Sequence, residues 1–302
     1  MPTRVIADFG AEYLVDVDGV SRRVRPRGCD PVVGDLVDLE GDRIVRVLPR
    51  RTAVSRRAAG EQNVQQVLAA NVDVAFVIAA ATDVNSRRIE RYLTIAWQSG
   101  TQPVVVLTKA DLVEEPQLLA LPVPIIATSS VTGRGVSDIE RELLPDKTGV
   151  LLGPSGTGKS TLINTILGSD LMRPREIHAG SGEGRHMTSH RQLIPLPRGG
   201  FIIDTPGLRE AQLWAGDEAL AAVFEDIADL ARQCRFSDCT HVTEPGCAVK
   251  DAVDPARLRS YRKLQRELLA IAARSDARLR IGERRKWKQI AMANRSRTRY
   301  LR

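Results

Sequence analysis

Residues 153–160 read Gly-Pro-Ser-Gly-Thr-Gly-Lys-Ser, and this stretch carries the clearest chemical signal in the chain of 302 residues. It fits the pattern G-x-x-x-x-G-K-[ST], whose glycines let successive backbone N–H groups turn inward around phosphate oxygens. The apolar run 148–152 before it predicts a buried strand, and the apolar spacing of 161–167 after it predicts a helix. Because a helix N-terminus favours anions, this strand, loop and helix predict a site for a nucleoside triphosphate.

The parts of this loop have different expected roles at the nucleotide. Lys159 would reach the β- and γ-phosphates, and Ser160 would offer its hydroxyl to a Mg²⁺ ion bound with the nucleotide. The residues predicted to contact the phosphates are Gly153, Pro154, Ser155, Gly156, Thr157, Gly158, Lys159, Ser160 and Thr161.

Upstream of this loop, predicted strands and helices alternate. The apolar run 73–79 predicts a buried strand of the parallel-sheet type, and the runs 103–107 and 124–127 predict two further strands. Residues 86–99, between the first two runs, have the apolar spacing of a helix. This alternation is typical of a doubly wound α/β domain, whose ligands bind at the carboxyl ends of the strands.

Two polar loops follow two of these strands, namely Thr108-Lys109-Ala110-Asp111 and Thr128-Ser129-Ser130. The carboxylate of Asp111 can accept two parallel hydrogen bonds from guanine N1 and its amino group, whereas adenine presents no such donor pair. A backbone N–H of the second loop can meet the guanine carbonyl oxygen. Since a site rejects an analogue that leaves its buried polar groups unpaired, the loops predict guanine rather than adenine. The residues predicted at the base are Thr108, Lys109, Asp111 and Ser129.

Two further motifs lie downstream of the phosphate loop. Residues 178–190 are rich in glycine and charge, and Thr188 among them is predicted to complete the Mg²⁺ shell and sense the γ-phosphate. A short apolar strand then leads into Asp204-Thr205-Pro206-Gly207. Asp204 would hold Mg²⁺ through water, and the N–H of Gly207 would bond the γ-phosphate.

The first sixty residues have a different pattern. Short alternating runs with turn signals at Asp18-Gly19 and at 40–42 predict several short strands. So many strands in so short a segment favour a small closed barrel, with an OB-fold as the first hypothesis. Its arginines either form an oligonucleotide-binding face or are ordinary exposed strand positions; they are Arg22, Arg23, Arg25 and Arg27. Residues 51–70 are polar and are predicted to form a linker.

Three of the four cysteines form the pattern Cys234-x₄-Cys239-x-His241-x₅-Cys247, and Cys29 lies apart in the predicted barrel. Three thiolates and an imidazole suit tetrahedral zinc at a structural site, with no coordination position left for catalysis. Buried free cysteines would not account for the neighbouring histidine. These four residues are therefore predicted to bind one Zn²⁺ ion.

The charge of the chain is unevenly distributed. The net charge is +7, yet residues 255–302 alone hold 16 lysines and arginines against 3 acidic residues. Residues 257–273 have the pattern of a helix, and the basic segment either binds a polyanion such as RNA or forms a solvated, salt-bridged tail. The longest apolar run, 74–81, is too short to cross a bilayer, and the first residues have no signal-peptide core. A cytoplasmic protein is therefore expected.

Together, these motifs resemble those of the translation-factor-like GTPases, but the base-reading loops precede the phosphate loop. This order is similar to that of the circularly permuted GTPases. With a barrel in front and a cysteine cluster behind, the chain resembles the ribosome small-subunit-dependent GTPase A family over nearly its whole length. The resemblance implies a GTPase that binds the 30S subunit and its 16S rRNA late in maturation, with hydrolysis stimulated by the subunit.

The resemblance also implies a residue for positioning water. Many GTPases place a glutamine directly after D-x-x-G, whereas this chain has Leu208. The Gly184-Arg185-His186 run of this family makes His186 the candidate, and Lys159 and Thr188 are the other expected catalytic residues. The alternative hypothesis is a nucleotide-gated RNA-binding module in which hydrolysis is incidental, and a P-loop kinase is a more distant third.

The sequence and the resemblance together predict an α/β protein built on a circularly permuted P-loop GTPase domain. An OB-like β-barrel is expected over residues 1–60, the GTPase domain over 61–215, and a zinc-binding helical domain with a basic tail over 216–302. A monomer is expected, with one structural Zn²⁺ ion and with Mg²⁺ bound alongside GTP.

Overall fold

The computed structural model of this chain describes residues 2–57, 65–115, 121–168, 191–204 and 217–275. These residues fall into two compact units, one within Met1–Arg56 and Gln66–Gln212 and the other within Arg57–Gln65 and Leu213–Arg302. None of the described helices is both long and apolar enough to cross a membrane.

Most of the described strands belong to one large sheet. The strands are β1 (Thr3–Asp8), β2 (Tyr13–Val17), β3 (Val20–Pro26), β4 (Leu36–Glu40), β5 (Arg43–Val47), β6 (Ala53–Arg57), β7 (Gln65–Ala70), β8 (Val74–Ala80), β9 (Gln102–Thr108), β10 (Ile125–Ala127), β11 (Thr148–Leu152), β12 (Arg191–Pro195) and β13 (Phe201–Asp204). The helices are α1 (Ser86–Gln98), α2 (Val136–Glu142), α3 (Lys159–Leu167), α4 (Asp217–Val223), α5 (Glu225–Ala231) and α6 (Pro255–Ser275), and a short 3₁₀ helix spans Ala110–Leu112.

Strands β1 to β5 form a closed barrel. Their order is β1-β2-β3-β5-β4, and β4 pairs again with β1. The pairs are antiparallel except for β3 with β5, which is parallel. Because side chains alternate along a strand, Val5, Val15, Val24 and Ile44 meet in one buried core. The OB-like barrel expected from the sequence is confirmed.

The α/β part of the sheet has the order β10-β9-β8-β11-β13-β12. Its strands are parallel except for β12, which runs antiparallel to β13. Every residue of β8 and of β11 is buried, as expected for central parallel strands. Phe76 and Ile78 pack with Ile139 of α2 and Leu162 of α3, while α1 contacts β8 and β9. The predicted α/β fold is confirmed.

The barrel and the α/β part are joined edge to edge. Strand β1 pairs antiparallel with β12, with Ala7 opposite Gln192 and Asp8 opposite Arg191. An ion pair of 3.1 Å connects Asp8 Oδ2 with Arg191 Nη1, and both side chains are largely buried. The sequence does not indicate how the barrel is oriented, and this pairing sets the orientation.

The prediction of a linker over residues 51–70 is wrong. This segment contains β6 and β7, which pair in a two-stranded sheet. Val54 and Leu68 are buried, and the N–H of Ala70 donates to the carbonyl oxygen of Val33 at 3.0 Å. The polar composition of this segment does not indicate these strands. Backbone pairing and contacts with the barrel stabilise them, whereas the sequence has no alternating apolar pattern there.

The described part of the second unit is helical around a small core. Helix α6 begins after Asp254, whose carboxylate accepts hydrogen bonds from the N–H groups of Ala256 and Arg257 at 2.9 and 3.0 Å. This contact satisfies N–H groups that have no partner within the helix. Leu264 and Leu268 of α6 are buried, as the apolar pattern of this segment predicts.

Candidate functional site

The phosphate loop follows β11 and leads directly into α3. Its three glycines all have positive φ, with Gly153 at 155°, Gly156 at 81° and Gly158 at 88°. A Cβ atom on Gly153 would lie 2.5 Å from the carbonyl oxygen of Ile78, so only glycine fits where the loop passes β8. The loop therefore has the compact backbone that can turn its N–H groups toward a phosphate.

Lys159 is the first residue of α3, and its side chain folds back over the loop. Its Nζ donates to the carbonyl oxygen of Gly153 at 2.8 Å and also to that of Pro154. The ammonium group is thereby held beside the helix N-terminus, where both favour an anion. Ser160 follows in the first helical turn and is half-buried. Lys159 and Ser160, for which contacts with phosphates and Mg²⁺ are predicted, thus lie together at the N-terminus of α3.

The remaining side chains of the loop differ in their environments. Ser155 and Thr161 are exposed, whereas Thr157 is buried. The Oγ1 atom of Thr157 donates to the carbonyl oxygen of Pro154 at 3.0 Å. The hydroxyl of Thr157 therefore shapes the loop itself.

The first base-reading loop is tied to the phosphate loop by two side chains. Thr108, the last residue of β9, is buried, and its Oγ1 donates to the carbonyl oxygen of Thr157 at 2.6 Å. Lys109 has a φ of 57°, and its Nζ donates to the carbonyl oxygen of Gly156 at 3.2 Å. These contacts bring the predicted base and phosphate elements together, although they are far apart in sequence.

Asp111 lies in the 3₁₀ helix, and its side chain is exposed. The turn that carries it is held by a backbone hydrogen bond, because the N–H of Ala110 donates to the carbonyl oxygen of Thr128 at 3.1 Å. This bond also joins the two base-reading loops. An exposed carboxylate on a fixed turn can accept two hydrogen bonds from a bound base.

The two serines of the second base-reading loop have different environments. Ser129 is fully buried; its N–H donates to the carbonyl oxygen of Arg134 at 3.0 Å, and its Oγ accepts from the N–H groups of Val131 and Thr132. Ser130 makes no hydrogen bond to the described part of the chain. The sequence pattern pointed to Ser129, and only the folded loop distinguishes the two serines.

The three loops converge because of the order of the strands. They follow the carboxyl ends of β9, β10 and β11, which lie within the parallel run β10-β9-β8-β11. Strand β13 is adjacent to β11 and ends at Asp204, whose backbone is paired with Gln192. The expected positions of His186, Thr188 and Gly207 lie outside the described residues, as does the side chain of Asp204. The base and phosphate loops thus meet at the carboxyl ends of the parallel strands, and the base loops precede the phosphate loop along the chain.

The predicted metal ligands lie together in the second unit. The ligand atoms of Cys234, Cys239, His241 and Cys247 are all within 4.8 Å of one another. The Nδ1 atom of His241 is 3.6 Å from Sγ of Cys234 and 3.5 Å from Sγ of Cys247. In tetrahedral zinc sites, bond lengths of about 2.3 Å to sulfur and about 2.1 Å to nitrogen place these atoms roughly 3.6 Å apart. The donor set and its spacing therefore fit a structural Zn²⁺ ion.

The surroundings of His241 favour metal binding. Burial lowers the pKa of His241, and the positive charge of Arg262 lowers it further. Both effects favour the neutral imidazole, which is the form that binds a metal.

Glu244 organises the loop between the metal ligands, and the sequence analysis did not single it out. Its carboxylate accepts hydrogen bonds from the N–H groups of Thr240, Val242 and Thr243 at 3.0, 2.9 and 3.0 Å. The Thr240 hydroxyl also donates to this carboxylate and, with the N–H groups of Glu244, Thr240 and Val242, holds the pKa of Glu244 well below its usual value. The ligand pattern of cysteines and histidine does not specify the residues between them, so it gives no indication of this role of Glu244.

Comparison with known proteins identifies the family of this chain. The model of the RsgA GTPase family matches residues 47–214. A small ribosomal subunit biogenesis GTPase RsgA from Opitutus terrae is 46% identical over 296 residues, which cover 93% of this chain and 80% of that protein. A protein of the same name from Streptomyces avermitilis is 48% identical over 276 residues, which cover 85% of this chain and 74% of that protein.

Solved structures agree with the fold. The crystal structure of YjeQ from Thermotoga maritima superposes with a TM-score of 0.65 at 27% identity, covering 89% of this chain and 98% of that chain. YloQ, described as a circularly permuted GTPase, superposes with a TM-score of 0.61 at 22% identity, covering 89% and 95%, which shows the fold alone. The order of the loops around the sheet and the family match lead to the same conclusion: the chain is a circularly permuted, GTP-hydrolysing enzyme and belongs to the RsgA GTPase family.

Proposed function

We propose that this GTPase binds the small (30S) ribosomal subunit late in its maturation and hydrolyses GTP to GDP and phosphate, with turnover stimulated by the subunit. The observation that carries the proposal is 46% identity, over 93% of the chain, to a GTPase named for biogenesis of the small ribosomal subunit. The excess of basic residues in 255–302 supports it, because such a segment pairs with the phosphates of rRNA.

In this proposal the described loops bind the guanine nucleotide. Asp111 accepts from N1 and the amino group of the base, and the loop of Ser129 and Ser130 donates to its carbonyl oxygen. The phosphates lie in the loop 153–160 against Lys159 and the N-terminus of α3. Support comes from the hydrogen bonds of Thr108 and Lys109, which hold the base and phosphate loops in contact.

A magnesium ion fits the same site. Ser160 lies in the first turn of α3, beside Lys159, and hydroxyl and carboxylate oxygens are the hard ligands that Mg²⁺ prefers. We assign Ser160, Thr188 and, through water, Asp204 to this ion, and the N–H of Gly207 to the γ-phosphate. When bound, the ion supplies positive charge against the oxygens of the transferring phosphoryl group.

Hydrolysis requires a water molecule aligned with the γ-phosphorus. The water oxygen bonds to phosphorus while the bond to the oxygen bridging the β-phosphate breaks, so that GDP and inorganic phosphate are released. Lys159 neutralises charge on the β- and γ-phosphate oxygens, and Thr188 contacts the γ-phosphate. Because Leu208 stands directly after D-x-x-G, we assign the positioning of water to His186.

We further propose how function is divided along the chain. Residues 1–60 form an OB-like domain and residues 61–215 the GTPase domain, while residues 216–302 hold one structural Zn²⁺ ion and contact 16S rRNA through the basic tail. The spacing of the four ligand atoms supports the zinc assignment. The protein is proposed to act as a monomer in the cytoplasm, where its subunit partner is assembled.

The proposal is tested by measuring GTP and ATP hydrolysis by the full chain, with and without 30S subunits, in low and in moderate salt. We expect strong stimulation with GTP alone, and weaker stimulation as salt rises because counterions compete for the phosphates of rRNA. Slow turnover of both nucleotides that is indifferent to subunits would reject the proposed substrate and the proposed partner together.

The second candidate is an RNA-binding module gated by nucleotide, in which hydrolysis is incidental. The observation that favours it is Leu208 in place of a catalytic glutamine. His186→Ala should abolish stimulated turnover if hydrolysis is the function, while leaving GTP binding unchanged. His178→Ala, which removes a histidine from the same segment, is the control. Unchanged stimulated turnover in His186→Ala would favour the binding module.

A further inference from the structure

The buried hydroxyl of Thr108 indicates how the base is read. Thr108 is 3% exposed and ends β9 at the point where the base-reading loop touches the phosphate loop. Its Oγ1 donates to the carbonyl oxygen of Thr157 at 2.6 Å, and the carbonyl oxygen of Ala79 lies 3.2 Å away. A threonine hydroxyl has one proton to donate, and both neighbours are acceptors. That proton is therefore used within the protein backbone.

The shape of a purine nucleotide places one half of the base beside this residue. Asp111 binds the six-membered ring at N1 and the amino group, whereas the ribose extends from the five-membered ring toward the phosphates. In the proposed guanine site, Thr108, at the junction of the base and phosphate loops, would therefore lie next to the five-membered ring. The acceptor on that ring is N7, which only a hydrogen-bond donor can read.

The neighbouring side-chain donors are also directed into the phosphate loop. Lys109 Nζ donates to the carbonyl oxygen of Gly156 at 3.2 Å, and Thr157 Oγ1 donates to that of Pro154 at 3.0 Å. The junction is thus built from side-chain donors that meet main-chain carbonyls. One N–H of Lys109 and the hydroxyl protons of Thr108 and Thr157 are therefore directed to loop carbonyls rather than to the base.

We infer that this site reads guanine at N1, the amino group and the carbonyl oxygen and leaves N7 unread, because Thr108 uses its single donor to join the two loops. The inference rests on the proposed guanine site. An asparagine at this position has two N–H donors, so it could keep the contact with Thr157 and also donate to N7. Thr108 is therefore a residue that determines which edges of the base are recognised.

The test is calorimetric titration of the full chain with GDP, 7-deaza-GDP, IDP and ADP in the presence of Mg²⁺. 7-Deaza-GDP lacks the N7 acceptor and should bind within about threefold of GDP, since a lost hydrogen bond would cost up to roughly tenfold. IDP lacks the amino group and should bind at least about tenfold more weakly than GDP. Binding of 7-deaza-GDP that is about tenfold weaker than that of GDP would overturn the inference. Equal binding of all four nucleotides would instead reject the guanine site on which it rests.

A second measurement uses a variant that should gain recognition of guanine N7. Thr108→Asn should bind GDP about fivefold or more tightly than 7-deaza-GDP, because the added N–H reaches N7. The same ratio as in the native chain would contradict the placement of position 108 beside N7. If this variant does not fold, the comparison of the two nucleotides on the native chain still decides the question.

Discussion

At the scale of single residues, the motif predicts the chemistry of a side chain and the fold determines whether that chemistry faces the ligand. Lys159 and Asp111 have the types that their motifs require; the ammonium lies against the phosphate loop, and the carboxylate is exposed on a fixed turn. Thr157 and Ser129 belong to the same motifs, but their polar groups are bound within their own loops. Motif membership alone therefore does not assign a residue a contact with the nucleotide.

The role assigned to Asp111 predicts a change of base preference. Asp111→Asn replaces a carboxylate by an amide, so that an N–H faces the amino group of guanine. We expect binding of GDP to weaken by at least about tenfold, and binding of xanthosine diphosphate to improve, because xanthine carries a carbonyl oxygen at that position. Titration calorimetry measures both affinities. Glu114→Gln removes an exposed carboxylate from the same segment as a control, and equal losses in the two variants would show that Asp111 contributes only charge.

At the scale of elements, short segments are positioned by contacts that few residue types can make. The hairpin between β2 and β3 turns through Asp18 and Gly19 with φ of 52° and 83°, which is the pair of positive φ angles that an Asp-Gly turn supplies. The phosphate loop needs positive φ as well as space against Ile78. In the second unit, α6 is joined to the segment at α5 by Arg257. Each of these elements therefore has a position at which a small change is expected to have a large effect.

Gly153 is that position in the phosphate loop. Gly153→Ala would bring a Cβ atom within 2.5 Å of the carbonyl oxygen of Ile78, so the loop would have to move. We expect a loss of about 1–3 kcal/mol in the free energy of unfolding, and GDP binding weakened by at least about tenfold. Denaturant unfolding and calorimetry measure the two effects. Gly10 also has a positive φ, of 86°, but an added Cβ there would meet nothing within 4 Å, so an equal loss of stability in Gly10→Ala would show that the close contact is unimportant.

Removal of the proposed zinc ion should change the structure of the loop in the second unit that carries Cys234, Cys239, His241 and Cys247. The ring of Tyr261 lies 6.5 Å from that of His241, so the tyrosine reports on this loop. We expect a chelator to release one equivalent of Zn²⁺ and to change the near-ultraviolet circular dichroism, because the four ligands then lose their common partner. Cys247→Ser should weaken zinc binding, whereas Cys29→Ser should leave one equivalent bound. Retention of the full spectrum after zinc loss would contradict a structural role.

The pair of Asp226 and Arg257 predicts a pH-dependent contribution to stability. Arg257 Nε and Nη2 donate to the carboxylate at 2.8 and 2.7 Å, and this contact lowers the pKa of Asp226 below its ordinary value of 3.8. Because the folded-state pKa is the lower one, the contribution is complete above pH 3.8 and is lost as the pH falls through the folded-state value. Near neutral pH we expect Asp226→Asn to lower the free energy of unfolding by about 1 kcal/mol, since the pair is partly exposed.

Urea unfolding over a range of pH measures this contribution. The difference between Asp226→Asn and the native chain should shrink in acid, because the native carboxylate becomes protonated there. Asp229→Asn removes a more exposed carboxylate, paired with Arg232, and serves as the control with an expected effect below about 0.5 kcal/mol. A difference for Asp226→Asn that does not change with pH would show that the charge of Asp226 is not what stabilises the unit.

At the scale of the whole molecule, the barrel and the α/β sheet of the first unit are joined by the pairing of β1 with β12, which we call the seam. Along with the pairing of β1 and β12, Arg4 Nη2 donates to Thr148 Oγ1 at 2.5 Å, and its guanidinium lies 5.1 Å from the ring centre of Phe201. The N–H of Thr148 in turn donates to Asp73 at 2.8 Å. Strand β12 is thus held by β13 on one side and by the barrel on the other.

The ion pair at this seam should contribute more than an exposed pair. Arg191→Ala leaves Asp8 without its partner at a site where the two side chains are only 18% and 14% exposed. We expect a loss of about 2–4 kcal/mol in the free energy of unfolding, because a largely buried charge is then uncompensated. Arg46→Ala, which breaks the exposed pair with Asp38 in the barrel, should cost less than about 1 kcal/mol. Equal midpoints of denaturant unfolding for the two variants would contradict a structural role for the seam.

Residue order alone predicted those features whose chemistry is local. The phosphate loop, the Asp-Gly hairpin, the central buried strands and the cluster of three cysteines and a histidine follow from neighbouring residues, because turn geometry, periodicity and ligand type are short-range properties. Features that join distant segments required the tertiary structure. The contact of Thr108 with Thr157 spans 49 positions, and the pair of Asp8 and Arg191 spans 183. Such contacts depend on which strands become neighbours in the sheet, and the spacing of apolar residues along the chain does not determine which strands pair.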